Sequence, residues 1–291
     1  MGLYAALVLG AVQAVTEFLP VSSTAHLLVL GELLGQSLSD PRFRAFATII
    51  QTGTTLAVLV YFRRDLWRIG TAFARGLARG RPFESADARL GWYIALGTVP
   101  AAVAGKLLER RIEALGNMVI AFSLVLWGLV LLVAERFAAH RRELGEVGAG
   151  DALAIGIGQA VALVPGTSRS GATITAGMLL GFTREAAARF SFLLSVPIIL
   201  GAGIYKLWKS LPALRGEASW GRDTVVGTAV AALLGYLVIG WLLRWLRTRS
   251  TYVFIAWRLA LGVALALLIW KGVLPAEGED EPSPPAAVQV R

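Results

Sequence analysis

The sequence predicts an all-α polytopic membrane protein with an inverted-topology repeat, in which each unit has one re-entrant helix hairpin and three transmembrane helices. The 291-residue chain is 56% hydrophobic and 16% charged, and its mean hydropathy is +0.65. Several apolar stretches approach the ~20 residues that a helix needs to cross a bilayer. Similar polar motifs also occur in both halves of the chain. These observations argue against two soluble domains of the same total length.

Charge and cysteine content exclude several other classes. The net charge of +9 comes mostly from arginines in short segments between apolar runs, a pattern typical of topology signals and contacts with lipid headgroups. We therefore expect membrane lipids and no nucleic acid as partners. The chain has no cysteine, which excludes disulfides and thiolate metal sites. Residues 1–19 lack a basic start, so no cleavable signal peptide is expected.

The first unit covers about residues 1–135 and begins with a broken helix pair. A helical pattern over 2–19 stops at Pro20, and a second helix is predicted over 24–35. We interpret the pair as a re-entrant hairpin, because non-helical backbone at membrane depth must be buried in protein or line a wet cavity. Three spans are predicted near 43–62, 91–107 and 117–135, with an arginine-rich segment at 63–89.

The second unit covers about residues 151–271 and follows a polar linker at 136–150. Its broken pair is predicted at 151–164 and 170–182, and its spans lie near 190–206, 223–243 and 252–270. Residues 275–291 form an acidic, proline-rich tail that we expect to be disordered. The two units together make a single integral membrane domain, residues 1–291.

The two units share residues at a nearly constant spacing. Gly10, Gln13, Ala14 and Val15 recur 146 residues later as Gly156, Gln159, Ala160 and Val161. Pro20 and Ser23 correspond to Pro165 and Ser168 at a spacing of 145, and Leu34-Gly35 returns as Leu180-Gly181. One hairpin and three spans give an odd number of crossings, so the second unit must be inverted.

The arginines predict the orientation. The segment 63–89 contains seven of them, and Arg141, Arg142, Arg244, Arg247 and Arg249 lie in later loops on the same face. The positive-inside rule places this face in the cytoplasm and both chain ends outside. Arg110, Arg111 and Lys209 fall on the outer face, so the bias is only moderate.

A carboxylate and an amide lie together in the first hairpin. Gln13 and Glu17 are four residues apart and share a helix face. An acidic residue at membrane depth is either functional or paired for structure. The two side chains make a poor cage for a divalent cation, Mg²⁺ or Ca²⁺, so we expect a diphosphate to complete any metal site there.

Hydroxyls and a histidine follow at the predicted start of the second helix. Ser22, Ser23 and Thr24 could serve only as N-caps, or they could bind a phosphate together with the free N–H groups of the helix start. His26 lies three residues after Ser23. A lone histidine is usually a hydrogen-bonded core residue, but here a nucleophile, an acid and a base lie close in sequence.

The second hairpin offers an arginine among hydroxyls. The turn Pro165 to Gly171 contains Thr167, Ser168, Arg169 and Ser170. An arginine at the tip of a broken helix is suited to phosphate oxygens and to charge that develops in phosphoryl transfer. Arg258, near the start of the last span, is a further candidate for the diphosphate, although a side chain that reaches the membrane interface explains it equally well.

These motifs resemble those of the undecaprenyl-diphosphatases of the bacitracin-resistance type. The residues that carry the resemblance are Gln13 to Glu17, Phe18 to His26, Pro165 to Thr173, the run Arg189 to Pro197, and Arg258. The resemblance covers nearly the whole chain except the tail. Gln13 stands where many members have glutamate, so it cannot act as a base.

The resemblance implies a phosphatase of the bacterial cytoplasmic membrane that converts undecaprenyl diphosphate to the monophosphate at the outer face, usually with Mg²⁺ or Ca²⁺. It implies Glu17, Ser23, His26, Ser168 and Arg169 as site residues. We expect Ser23 to attack phosphorus while Glu17 or His26 takes its proton, with a water nucleophile and His26 as the alternative. A polyprenyl-phosphate transporter or flippase is the rival function, and a homodimer stays open.

Overall fold

The structure, a computed structural model, describes residues 1–36, 40–113, 115–210 and 218–276. Within these ranges the chain is helical and forms no β-strand. The helices are α1 (Leu3–Phe18), α2 (Ser23–Leu33), α3 (Pro41–Tyr61), α4 (Arg63–Ala78), α5 (Ala86–Glu113), α6 (Asn117–Phe137), α7 (Ala149–Val161), α8 (Arg169–Leu179), α9 (Arg184–Ser210), α10 (Ala218–Thr248) and α11 (Tyr252–Trp270). A short 3-10 turn, Leu144–Glu146, lies between α6 and α7.

Five helices in the described part of the chain are long and apolar enough to cross a membrane. They are α3, α5, α6, α10 and α11, and they contain five of the six predicted spans. The sixth, near 190–206, lies within α9, which also carries charged residues and is not among the five. The arginine-rich segment contains the amphipathic helix α4, which buries Ile69 and Gly76. The chain is therefore a multi-pass membrane protein.

Both predicted breaks are present and share one backbone geometry. Ser22 has φ 72° and ψ 102°, and Ser168 has φ 69° and ψ 118°. Each serine precedes the first residue of a helix, and a positive φ is strained for a residue with a side chain. The sequence alignment of Ser23 with Ser168 was therefore wrong by one residue, since the structure makes Ser23 and Arg169 the equivalent positions.

Close glycine contacts join each broken helix to a span from the other half. Gly10 of α1 faces the backbone of Gly227 in α10, and Gly156 of α7 faces that of Gly97 in α5. A Cβ added to Gly10 would lie 2.5 Å from the carbonyl oxygen of Gly227, and one on Gly156 would overlap that of Gly97. The small side chains therefore let the helix backbones approach closely.

Ion pairs connect segments at the arginine-rich end of the bundle. Arg184 of α9 binds Glu135 of α6, which also accepts hydrogen bonds from Thr251. Arg142, in the linker, binds Asp151 at the start of α7 at 2.6 Å. Hydrogen bonding to this carboxylate raises the pKa of the Arg142 guanidinium above its ordinary value. These contacts fix the starts of α9 and α11 against the end of α6, and the linker against the start of α7.

The opposite end is connected by backbone contacts of the last described residues. Asn117 donates from its backbone N–H to Ala276 and from its side chain to Pro275. Most of the predicted disordered tail, residues 277–291, lies outside the described residues.

Candidate active site

The carboxylate of Glu17 joins the two broken helices. Its Oε2 accepts hydrogen bonds from Gln13 Nε2 at 3.0 Å and from Ser23 Oγ at 2.8 Å. Its Oε1 accepts a hydrogen bond from Arg169 Nη2 at 2.6 Å. The Glu17 side chain is 13% exposed and that of Arg169 is 27% exposed, so both are partly open to a ligand. The carboxylate is thus paired, and its partners include the predicted nucleophile.

We call residues 17–24 the first tip and residues 162–171 the second tip, since each contains the break between the two helices of a hairpin. Backbone and hydroxyl contacts hold the second tip against the first. Ser170 Oγ is 3.1 Å from the carbonyl oxygen of Glu17 and 3.0 Å from that of Leu19. It also lies 3.1 Å from Ser168 Oγ, which accepts a hydrogen bond from the Gly171 N–H and so caps α8. Ser170 is buried. It therefore supports the geometry of the tips from behind.

A cavity of about 290 Å³ opens beside this cluster. Six predicted residues of the two tips line it, namely Glu17, Ser22, Ser23, Thr24, Ser168 and Arg169. Its far walls come from α3 and α9, including Ile198, Ile199 and Gly203. Thr167 and Ser170 are buried and do not line the cavity. The structure thus brings most of the predicted site residues into one place.

The sequence analysis missed four polar residues of α3 that line the same cavity. They are Thr48, Gln51, Thr52 and Thr55. The signal was present, because polar residues at positions i, i+3, i+4 and i+7 of an apolar span occupy one helix face. They add hydroxyl and amide groups opposite the two tips.

His26 does not join Glu17 and Ser23 in this cavity. Its Nδ1 lies 2.7 Å from the carbonyl oxygen of Ser22, and its Nε2 accepts a hydrogen bond from Trp257 Nε1 at 2.8 Å. These partners require a neutral ring with the proton on Nδ1. The ring stacks on Trp257 and lines a separate, largely apolar groove of about 870 Å³. The expected set of nucleophile, carboxylate and histidine is therefore not assembled here.

Arg258 lies beneath the tips and does not line the cavity. The side chain is fully buried, and it donates to five backbone carbonyls. Pro20 belongs to the first tip, Gly166 and Thr167 to the second, and Ser123 and Leu124 to α6. Two roles were expected for Arg258: contact with the diphosphate, or a side chain that reaches the membrane interface. Its position matches neither, because the buried guanidinium binds the backbone of both tips.

Comparison with known proteins adds an independent finding. The family described as bacitracin resistance protein BacA matches residues 6–264. A protein of Anaeromyxobacter dehalogenans (strain 2CP-1), named undecaprenyl-diphosphatase, is 73% identical over 279 residues, which are 96% of each chain. Proteins with the same name from Anaeromyxobacter sp. (strain Fw109-5) and Myxococcus xanthus are 70% and 46% identical over the whole chain, and the matches cover 95% and 98% of their own lengths.

The chain belongs to the BacA family. The family match begins within α1 and ends within α11, so it includes both tips, the cavity and Arg258. It ends before the acidic tail.

The BacA-family site does not form a metal cage from protein groups alone. Glu17 is the single carboxylate among the described residues that line it, and the guanidinium of Arg169 already binds one of its oxygens. Gln13 is fully buried, donates its amide N–H to Glu17, and leaves its Oε1 without a partner. No group of three acidic or histidine side chains that could hold a metal occurs among the described residues. Most ligands of a bound cation would have to come from a substrate or from water.

Proposed function

We propose that this BacA-family chain is an undecaprenyl-diphosphatase, which hydrolyses undecaprenyl diphosphate to undecaprenyl phosphate and inorganic phosphate. One observation carries the proposal: Glu17 accepts hydrogen bonds from Ser23 of its own hairpin and from Arg169 of the other. A nucleophile, a base and a cation therefore share one cavity. The relatives named undecaprenyl-diphosphatase match nearly the full chain. The reaction would recycle the lipid carrier of cell-wall synthesis and explain resistance to bacitracin.

The cavity can bind the diphosphate through Arg169 and two helix starts. Ser22, Ser23 and Thr24 stand at the first turn of α2, where no side chain caps the backbone N–H groups. Such a turn attracts phosphate oxygens through these N–H groups and the helix dipole. Arg169 begins α8, contacts the same Glu17 carboxylate as Ser23 does, and adds a positive charge. Ser168 lines the cavity beside it, and Ser170 holds the tip from behind through its hydrogen bonds to the first hairpin. The Thr167 hydroxyl is buried without a partner in the described chain, and Thr167 supports the tip only through its carbonyl, which accepts from Arg258.

Ser23 is the nucleophile in our proposed mechanism. Its Oγ attacks the terminal phosphorus while Glu17 Oε2, at 2.8 Å, accepts the hydroxyl proton. The bond from this phosphorus to the bridging oxygen breaks, and undecaprenyl phosphate leaves with the proton that Glu17 had accepted, which restores the Glu17 carboxylate. Arg169 stabilises charge on the transferred group. Water then attacks the phosphoserine, Glu17 accepts its proton, and inorganic phosphate leaves as Ser23 is reprotonated.

A water nucleophile remains the alternative, with Glu17 as the group that activates it. His26 fits that role less well, because both its ring nitrogens are engaged outside the cavity.

Phosphate release from farnesyl diphosphate in detergent tests the mechanism. We expect Ser23→Ala to lower turnover at least about a thousandfold, since loss of a nucleophile removes the covalent route. Ser85→Ala is the matched control, because Ser85 precedes α5, away from the cavity. A rapid acid quench should trap phosphoserine in the wild type. Substantial turnover by Ser23→Ala would exclude the serine route and leave the water route.

We infer that the two halves are inverted repeats whose tips meet near the midplane. The reciprocal glycine contacts of α1 with α10 and of α7 with α5 support this arrangement. In it, the arginine-rich α4 faces the cytoplasm of a bacterial inner membrane and the diphosphate cavity opens to the outer face. Cysteine-accessibility labelling from each side of the membrane tests the orientation, since the native chain has no cysteine.

The apolar groove beside His26 is our candidate for the prenyl chain. It lies between the halves, because α1 and α2 form one wall and α10 and α11 the other. Val21 lines the groove and Ser22 lines the cavity, so the same tip separates the two spaces. A diphosphate in the cavity and a hydrocarbon chain in the groove would therefore meet across this tip.

A divalent cation, Mg²⁺ or Ca²⁺, would enter this site together with the diphosphate. Phosphate oxygens would supply most of its ligands, with Glu17 as the protein carboxylate and Gln13 as a weaker neighbour. Such a cation would neutralise phosphate charge during transfer. EDTA should then abolish phosphate release, and restored Mg²⁺ should recover it.

The transporter or flippase remains the rival function, and its prediction differs. A carrier needs Arg169 for its anion but has no use for Ser23 as a nucleophile. Lipid translocation in liposomes without phosphate release from the folded wild type would favour the transporter.

A further inference from the structure

A second cavity lies at the other end of the bundle. It has a volume of about 420 Å³ and is formed by the end of α3, the start of α9 and the last turns of α10. Arg189 is nine residues before Ile198, which lines the diphosphate cavity. At the helical rise, the two cavities are about 14 Å apart along α9. The second cavity is thus a separate site.

Three arginines make this second cavity positive. They are Arg189, Arg244 and Arg247, and two acidic residues lie beside them in the described chain: Glu185, which lines the cavity, and Asp65, which pairs with Arg189. Arg247 binds Glu185 through two hydrogen bonds of 2.8 Å. Arg189 reaches Asp65 at 3.1 Å, but its buried Nε has no partner. Arg244 makes no hydrogen bond or ion pair within the described part of the chain. Donors are therefore left over for an anion.

The cavity continues into an apolar groove on the lipid-facing side of the bundle. This groove has a volume of about 340 Å³ and runs between α3 and α10. Tyr236 and Leu237 line both spaces, so the two are contiguous. The groove side chains Leu56, Val60 and Leu233 are at least half exposed, as expected for residues in contact with lipid. A polar, cationic end and an apolar extension together match an amphipathic anion.

We propose that this composite site binds an anionic phospholipid, with the phosphate among Arg189, Arg244 and Arg247 and one hydrocarbon chain in the groove. Guanidinium groups suit phosphate oxygens, and arginines near a membrane surface attract anionic lipids. A free phosphate ion would use the arginines but would gain nothing from the groove. Arg189 is the first residue of the run Arg189 to Pro197, and it does not line the diphosphate cavity.

Native mass spectrometry of the full chain in detergent tests this proposal by counting bound lipids. We expect phosphatidylglycerol to be retained in preference to phosphatidylcholine. Arg244→Gln should weaken that retention about fivefold, the effect of one lost arginine contact with an anionic lipid. Arg249→Gln is the matched control, because it removes the same charge from an exposed arginine that directly follows α10 and does not line the cavity.

Two further arms separate a lipid from a phosphate ion. Ala232→Phe fills the groove with an apolar ring and should also weaken phosphatidylglycerol retention, while added inorganic phosphate should not displace the lipid. Arg247→Gln gives a second charge variant if Arg244→Gln elutes as an aggregate. Equal retention by the arginine variants and Arg249→Gln would overturn the proposal. Displacement by inorganic phosphate at the concentration of the lipid would overturn it too, because it would indicate a site for the anion alone.

Discussion

Arg169 Nη2 lies 2.6 Å from Glu17 Oε1, although 152 residues separate them in the chain. The two residues come from different hairpins, and the same carboxylate accepts a hydrogen bond from Ser23 at 2.8 Å. Positioning of the proposed nucleophile therefore depends on both halves. A partly open ion pair of this kind can also exchange partners, since a phosphate can take the guanidinium as it enters.

Coupling between Glu17 and Arg169 is the first prediction. Glu17→Gln and Arg169→Ala should each lower kcat/KM for a prenyl diphosphate by about a hundredfold or more. The double variant should lose far less than the product of the two losses, because the residues act as one unit. Arg136→Ala, an exposed arginine of α6, serves as the control. Losses that multiply would contradict one shared unit.

A positioning role for His26 is the second prediction. Its Nδ1–H reaches the Ser22 carbonyl and so holds the strained residue ahead of α2. His26→Ala should lower kcat, and His26→Asn should restore much of it, because an asparagine N–H can take the place of Nδ1–H. An asparagine cannot transfer a proton as an imidazole does.

The two variants separate positioning from acid–base catalysis by their pH profiles. With His26 as a positioning residue, the pH profile of kcat in His26→Asn should keep the wild-type shape. If both variants were equally inactive and the pH profile of kcat lost one of its two ionisations, His26 would have the acid–base role expected from the sequence.

The helical membrane fold and the two tips of the site could be predicted from the sequence, whereas the walls that α3 and α9 add to the cavity were not. Polar residues around Pro20 and Pro165 interrupt apolar helices, which locates both tips. The correspondence of Ser23 with Ser168 failed because the prolines suggested a spacing of 145 across the tips. The spacing of 146 that relates Gly10 to Gly156 also relates Ser22 to Ser168, which share the positive φ.

The places of His26 and Arg258 depend on contacts that sequence spacing does not specify. The spacing of three residues predicts that His26 shares a helix face with Ser23. The nearby Ser22 carbonyl and the Trp257 ring, which is distant in sequence, instead hold the His26 ring in the apolar groove. A buried arginine can bind an anion or backbone carbonyls, and only the folded tips supply the carbonyls around Arg258.

A structural role for Arg258 is the third prediction. Arg258→Ala leaves five carbonyls without their donor, so the free energy of unfolding should fall by at least about 3 kcal/mol. Arg258→Lys should recover only part of it, since an ammonium has three donors. Thermal unfolding in detergent measures the change, with Arg249→Ala as the exposed control. Wild-type stability with a raised KM would instead indicate direct contact with the diphosphate.

Dependence of cation binding on the diphosphate is the fourth prediction. Because Glu17 is the single carboxylate that the described residues bring to the cavity and Arg169 already binds it, Mg²⁺ alone should leave the unfolding temperature unchanged. Mg²⁺ together with a non-hydrolysable methylene diphosphonate lipid should raise the unfolding temperature. A ligand at a hundred times its dissociation constant increases the free energy of unfolding by about 2.7 kcal/mol. Glu17→Gln should remove most of that gain, and Arg136→Ala should keep it. A rise with Mg²⁺ in the absence of any diphosphate would contradict this prediction, because it would require protein ligands beyond Glu17.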